Sequence, residues 1–184
     1  MKSVCLKVCV CLLALLLLSC SDTPDPESVV VGSRSPEFEL TSLDGNTVTS
    51  TSLKGEIVVL NFWATYCQPC RAEIPELNSF AASSGAKVIG ITLDPEGAPA
   101  VRRYEKEQNF QLNYTVVLGD EEIFTRFNGV GIPYTLVLDR AQHIVSIYRH
   151  PVDKETLERD LRKINQGGEG TAMSYRDDQD RKAQ

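Results

Sequence analysis

Phe62-Trp63-Ala64-Thr65-Tyr66-Cys67-Gln68-Pro69-Cys70-Arg71-Ala72-Glu73-Ile74-Pro75 is the stretch on which the reading of this chain turns. Just before it, Ile57-Val58-Val59-Leu60-Asn61 continues into Phe62-Trp63 as a nearly unbroken β-branched and apolar run. A central strand buried on both faces reads this way. Beyond the cysteines, Ile74, Leu77, Phe80 and Ala81 recur at helical spacing, so a helix is expected over 67–83. Pro75 falls inside that helix, where proline kinks or breaks. A kink is expected, because the apolar stripe continues through Leu77 and Phe80.

A Cys-x-x-Cys pair at such a strand-to-helix junction has a physical rationale. Two cysteines three apart on the first helical turn can close a disulfide. The first of them also meets free backbone N–H groups and the positive end of the helix dipole, which stabilise a thiolate. Cys67 is therefore the candidate nucleophile. Cys70, further in and less exposed, is the candidate resolving thiol. Pro69 supplies a fixed φ in the first turn and has no N–H to leave unpaired.

Outward from this centre, strands and helices alternate. Residues 38–43 and 47–51 flank Asp44-Gly45-Asn46, a hairpin signal. Strands are expected at 87–93, 114–118, 134–138 and 144–148, and helices at 99–108, 120–127 and 154–164. Together they predict an α/β domain, with a central mixed sheet covered by helices on both faces. No internal repeat is present.

The two ends read differently. Lys2 and Lys7 form a short basic region, followed by an eleven-residue apolar run over 8–18. That run is too short to span a bilayer, which takes about 20 residues, and it fits a signal peptide. It closes on Leu17-Leu18-Ser19-Cys20, which resembles the lipobox of bacterial lipoproteins, in which the cysteine is acylated and becomes the new N-terminus. The alternatives are an ordinary signal peptide cut nearby or an uncleaved anchor. Of six cysteines, Cys5, Cys9 and Cys11 leave with the segment 1–19. If Cys20 carries lipid, Cys67 and Cys70 remain as a pair with no orphan thiol. Residues 20–35 read as a tether and 166–184 as a disordered tail, with a partner-binding role for the tail as the alternative. The folded domain is then 36–165.

Net charge is −6, and more negative by two once Lys2 and Lys7 are removed. That balance argues against nucleic acid as the partner, since phosphate binding needs clustered Lys and Arg.

The string 62–75, together with Gly131-Ile132-Pro133-Tyr134-Thr135-Leu136-Val137-Leu138-Asp139, resembles the thioredoxin superfamily, and more narrowly its TlpA/ResA-like membrane-anchored members. The resemblance covers about residues 34–164. It implies a thioredoxin-like fold with an N-terminal hairpin at 37–51 and an insertion at about 94–130. It implies further that Pro133 is cis and packs beside the cysteines, presenting the backbone of Ile132 to an extended substrate. Trp63 and Tyr66 flank the pair as substrate-contact candidates, with core or rim packing as the alternative for each. The implied activity is thiol–disulfide exchange with no cofactor and no metal, the cysteines carrying the electrons. The implied setting is the cell envelope, on the extracytoplasmic, periplasmic side. Membrane-anchored relatives mostly reduce envelope proteins, as in cytochrome c maturation. The partners so implied are a disulfide-containing envelope protein and a membrane electron donor, with the membrane reached through the lipid on Cys20.

Two positions, Asn61 and Gln68, depart from the archetypal thioredoxin. Six residues before the first cysteine this chain has Asn61 in place of a buried aspartate, and asparagine cannot shuttle a proton. Glu73, three residues beyond Cys70 and on nearly the same helix face, is the candidate to tune thiol ionisation. The alternative is that Glu73 only favours the first helical turns electrostatically. Gln68 in the intervening dipeptide bears on redox potential in a direction the sequence does not give.

Competing functions are weighed on spacing. A peroxiredoxin expects threonine three and proline seven residues before its nucleophile, where this chain has Ala64 and Leu60. Copper-delivery relatives usually place three residues between their cysteines, and here two intervene. His143 and His150 sit in hydrophilic company away from any metal-ligand spacing and read as surface residues. A disulfide-forming oxidant on the same scaffold remains the alternative within the redox reading.

Overall fold

The computed structural model describes residues 29–167. Cys20, the expected signal peptide and most of the expected tail lie outside them. The central sheet has five strands in the order β5-β4-β3-β6-β7: β3 Val58–Trp63, β4 Lys87–Thr92, β5 Thr115–Leu118, β6 Tyr134–Leu138 and β7 Ile144–Tyr148. Strand β4 runs parallel to β3 and to β5, whereas β6 is antiparallel to both β3 and β7. Helices α1 Gln68–Ser84, α2 Ala98–Gln108, α3 Glu121–Arg126 and α4 Lys154–Gly167 cover both faces. This is the mixed α/β, thioredoxin-like architecture expected.

Strand β3 is the axis of the molecule, and all six of its residues are buried. Alternation along the strand sorts its side chains between two cores. Val58, Leu60 and Phe62 face a core built with Ile123 and Phe127 from α3 and its end. Phe62 stands in ring contact with Phe124, Phe127 and Tyr134 there. Val59 packs on the other face against Leu77 and Phe80 of α1 and Leu157 of α4. The same alternation turns Asn61 and Trp63 toward α1, under the cysteines.

The hairpin pairs β1 Glu39–Thr41 with β2 Thr47–Thr49. Its turn holds Gly45 at φ 82°, a conformation open to glycine. Both strands are shorter than expected. Residues 50–53 form a 3₁₀ turn instead, because Thr49 accepts from the Ser52 amide at 3.1 Å while Ser52 Oγ accepts from the Thr49 amide at 3.3 Å. Such hydroxyl groups compete with a strand ladder. The hairpin also covers the β5 edge, where the Leu43 amide donates to the Val116 carbonyl at 3.0 Å.

The domain begins earlier than expected, so the span 20–35 is not wholly a tether. Val29 is buried in the core with Phe38 and Leu53. The Gly32 amide donates to the Ile144 carbonyl at 2.8 Å and the Ser35 amide to the Gln142 carbonyl at 2.9 Å. Polar composition concealed this pairing, which is made by backbone groups. At the other end α4 runs to Gly167, just past the expected boundary at 165.

Candidate active site

Strand β3 ends at Trp63, and four residues later Cys67 opens α1. Its backbone is extended (φ −83°, ψ 105°), and it occupies the cap position before Gln68, with Pro69 in the first turn. The Cys67 sulfur accepts from the Cys70 amide at 3.2 Å, so a free helix-start N–H points at the nucleophile. The two cysteines are joined as a disulfide with their Cα atoms 5.3 Å apart. Cys67 retains 9 % of its surface and Cys70 only 1 %, which separates the attacking position from the sheltered one.

The second string delivers its residues to the same place. The Ile132–Pro133 peptide bond is cis, as the resemblance implies. Pro133 is buried and Ile132 half-buried. The Ile132 carbonyl oxygen lies 3.7 Å from the Cys67 sulfur.

Glu73 is 1 % exposed, one turn below Cys70. Its Oε2 accepts from Asn61 Nδ2 at 3.1 Å, and its Oε1 accepts from Thr135 Oγ1 at 3.0 Å and the Val152 amide at 3.3 Å. Asn61 Nδ2 also donates to Thr135 Oγ1 at 2.9 Å. Burial outweighs these donors and pushes the Glu73 carboxyl up to about 7. The carboxyl thus sits where a proton can be taken or given near neutrality. Thr135 and Val152 were not legible as partners, because they come 62 and 79 residues later in the chain.

Trp63 requires a correction. It is wholly buried and meets Tyr104 of α2 edge-on at 6.0 Å, so it belongs to the core under the site and cannot touch a protein substrate. Tyr66, by contrast, is 68 % exposed beside Cys67. Among the described residues, Asn61 Oδ1, Trp63 Nε1 and Tyr114 OH are the buried side-chain polar atoms without a protein partner. Gly90, opposite Asn61 in the sheet, is where the Trp63 and Tyr114 rings close in. A Cβ there would lie 3.0 Å from both Trp63 Nε1 and Tyr114 Cε2. Gly90→Ala is therefore expected to destabilise the protein by about 1–3 kcal/mol, as overpacking does. Denaturant unfolding of wild type and variant checks this.

His143 lies 3.5 Å from Asp139 at the far end of the sheet, and exposed His150 has its Nδ1 3.0 Å from the Pro151 carbonyl. Among the described residues no group of three or more His, Cys, Asp or Glu side chains is placed to hold a metal ion.

A disulfide-forming pair capping a helix at the end of a buried central strand, beside a cis-proline loop, defines a thiol–disulfide oxidoreductase of thioredoxin-like fold. The chain belongs to the AhpC/TSA family, which matches it over residues 31–157. It is similar to the thiol-disulfide oxidoreductase ResA of Bacillus anthracis, 31 % identical over 144 residues that cover 76 % of this chain and 82 % of the relative. ResA of Geobacillus kaustophilus is 28 % identical over 141 residues, covering 74 % of this chain and 79 % of that one. Among solved structures, a thioredoxin-family thiol:disulfide interchange protein from Chlorobium tepidum is 31 % identical, with a TM-score of 0.61 over 71 % of this chain and 94 % of its own.

Proposed function

We propose that this oxidoreductase is a reductant of protein disulfides outside the cytoplasm, tethered to a membrane through a lipid on Cys20. The observation that carries the redox direction is the charge set around the pair. A strong oxidant needs its thiolate strongly stabilised, since that favours the reduced form. Here one backbone amide supports the Cys67 sulfur. The acidic groups built into the surroundings are Glu73, one turn below Cys70, and Asp94, bonded to Thr65 two residues before Cys67. The Asp94 carboxylate, joined by Glu73 once that group ionises near 7, disfavours a thiolate and so favours the disulfide, which is the poise of an electron donor.

In the proposed cycle the Cys67 thiolate attacks one sulfur of the substrate disulfide and forms a mixed disulfide, and the other substrate sulfur leaves as a thiolate. Glu73 takes the proton of Cys70. The Cys70 thiolate then attacks the Cys67 sulfur, which closes the Cys67–Cys70 bond and releases the second substrate thiolate. Two electrons pass to the substrate, and the departing thiolates take up two protons. A membrane dithiol donor restores the pair by the reverse exchange.

The Ile132 carbonyl borders the sulfur that would be bonded in the mixed disulfide, and we assign Ile132 and the cis-linked Pro133 to the substrate site with Tyr66. Val130, 85 % exposed in the same loop, extends that apolar rim. The basic and apolar segment 1–19 and the Leu-Leu-Ser-Cys string support export and the lipid anchor. Among the described residues no helix is long and apolar enough to cross a membrane.

Equilibration of the Cys67–Cys70 couple with defined thiol buffers tests the direction. A potential near roughly −270 mV or below is expected, whereas one near about −120 mV would mark an oxidant and overturn the proposal.

A further inference from the structure

Asp94 follows β4 and is nearly buried, at 7 % exposure. Its side chain reaches across to the loop that leads into the cysteines. Oδ2 accepts from the Thr65 amide at 2.9 Å and from Thr92 Oγ1 at 2.6 Å, and Oδ1 accepts from Thr65 Oγ1 at 2.6 Å. The Asp94 amide in turn donates to Thr92 Oγ1 at 3.2 Å. Since that oxygen accepts from the amide, its own hydrogen is left to point at the carboxylate.

The local backbone explains why this matters at Cys67. The Leu93 amide donates to the Trp63 carbonyl at 2.8 Å, which zips β4 to the last residue of β3. Two residues further on, the Asp94 side chain holds the Thr65 amide. The Cys67 amide then closes the turn onto the Ala64 carbonyl at 3.1 Å. Between the end of the strand and the nucleophile, the Thr65 amide is thus held by a side chain from the segment that follows β4. Ala64 is buried in the core, but Thr65 is half-buried and Tyr66 exposed, so apolar packing does little to fix these last two residues before Cys67.

We infer that Asp94 is a positioning residue for the nucleophile: its grip on Thr65 sets the backbone that presents the Cys67 sulfur to the Cys70 amide. The inference rests on the reading of Cys67 as the attacking thiol. It concerns how that thiol is held, and applies whichever way electrons flow.

Two substitutions separate the grip from the charge. Asp94→Asn and Asp94→Ala both remove the negative charge. Only Asn keeps an oxygen for the Thr65 amide and the Thr92 hydroxyl, and its NH₂, in the place of Oδ1, can donate to the Thr65 hydroxyl oxygen. The difference between the two variants therefore isolates the clamp. With the clamp lost, the thiolate loses part of its amide contact. The reduced form is then less favoured and the nucleophile is displaced, and small displacements of a reacting group cost up to about 100-fold in rate.

The experiment uses the full purified chain. It measures the second-order reaction of the reduced protein with glutathione disulfide and the equilibrium of the pair with glutathione buffers. Asp94→Ala is expected to react roughly tenfold more slowly than Asp94→Asn. Its equilibrium constant should shift about tenfold toward the disulfide, or about 30 mV more negative for a two-electron couple. Equal rates and potentials for the two variants would overturn the clamp. So would a slow Asp94→Ala whose potential matches that of Asp94→Asn, because a general loss of structure slows reaction without moving the couple. Should Asp94→Ala fail to fold, Thr65→Val carries the test by removing the 2.6 Å hydroxyl bond alone. A wild-type rate and potential in that variant would overturn the inference, and a partial shift of both in the same directions would support it. Loss of all redox activity in Cys67→Ser with no difference among the Asp94 variants would leave the assignment of the nucleophile standing while the clamp falls.

Discussion

Cys67→Ser is expected to reduce thiol–disulfide exchange to the background of free thiols, a loss on the order of a thousandfold or more, as when other enzymes lose their nucleophile. A serine hydroxyl placed at the helix start still accepts from the Cys70 amide, so the fold should persist. It does not ionise at working pH and cannot form the mixed disulfide. Cys70→Ser separates the two steps. Cys67 keeps its amide donor, since the contact comes from the backbone of residue 70, and attack should proceed. With the resolving thiol gone, the mixed disulfide should accumulate and appear as a reducible complex on a non-reducing gel. Should Cys70→Ser lose attack while Cys67→Ser forms the complex, the roles are reversed. Burial favours the order given, with the more exposed sulfur attacking and the sheltered one resolving.

Glu73→Gln is expected to slow the resolving step by roughly a hundredfold, the usual range for removing a general base, and to erase the limb of the pH–rate profile centred near 7. The three groups that contact the carboxylate are all donors, from Asn61, Thr135 and Val152. Glutamine can accept two of them through its oxygen. For its NH₂ the unpaired Asn61 Oδ1 becomes available once the Asn61 amide turns over. A protonated Glu73 can use the same acceptor, so both protonation states can be accommodated. Stability gives a second readout. The folded carboxyl sits at about 7 against an ordinary value of 4.5, so the folded chain holds a proton that the unfolded chain releases. The stabilisation is complete below pH 4.5 and is lost as pH rises through about 7, a swing on the order of 3 kcal/mol in the oxidised protein. Glu73→Gln should flatten that dependence in denaturant unfolding at pH 5 and pH 8. A variant that keeps both the kinetic limb and the stability slope would show that another group titrates there.

The redox pair, the strand before it and the helix after it were legible because each is written in contiguous residues. The run into Trp63 announces a doubly buried strand, and α1 stops at Ser84 with Gly85 in the left-handed conformation. Pro75 does not end the helix, since Leu77 and Phe80 anchor the turns beyond it. Less legible was whatever the sheet assembles from distant segments. Asn61 and Thr135 face each other only because β3 and β6 are antiparallel neighbours. Thr65 meets Asp94 because β4 is parallel to β3 and ends beside it. Position beside the cysteines made Trp63 a substrate candidate, and the pleat buries it in the core beneath them. An aromatic residue reads the same in sequence whether it lines a rim or fills a core.

The pairing of residues 32–35 with 142–144 gives the molecule a handle. Register places Ile144 level with Leu138 and Val58, at the opposite end of the sheet from Phe62, Tyr134 and the cysteines. The chain therefore enters at the blunt end, about one strand length, or roughly 17–20 Å, behind the reactive sulfur. Anything fixed ahead of Val29 holds the protein by its base, with the working face turned outward. From the proposed lipid at Cys20 to Val29 the covalent reach is at most about 32 Å, so the domain would hang on a short leash, reaching toward the aqueous side. For the same reason, immobilisation through the N-terminus should leave Cys67 open to a partner as large as a folded protein.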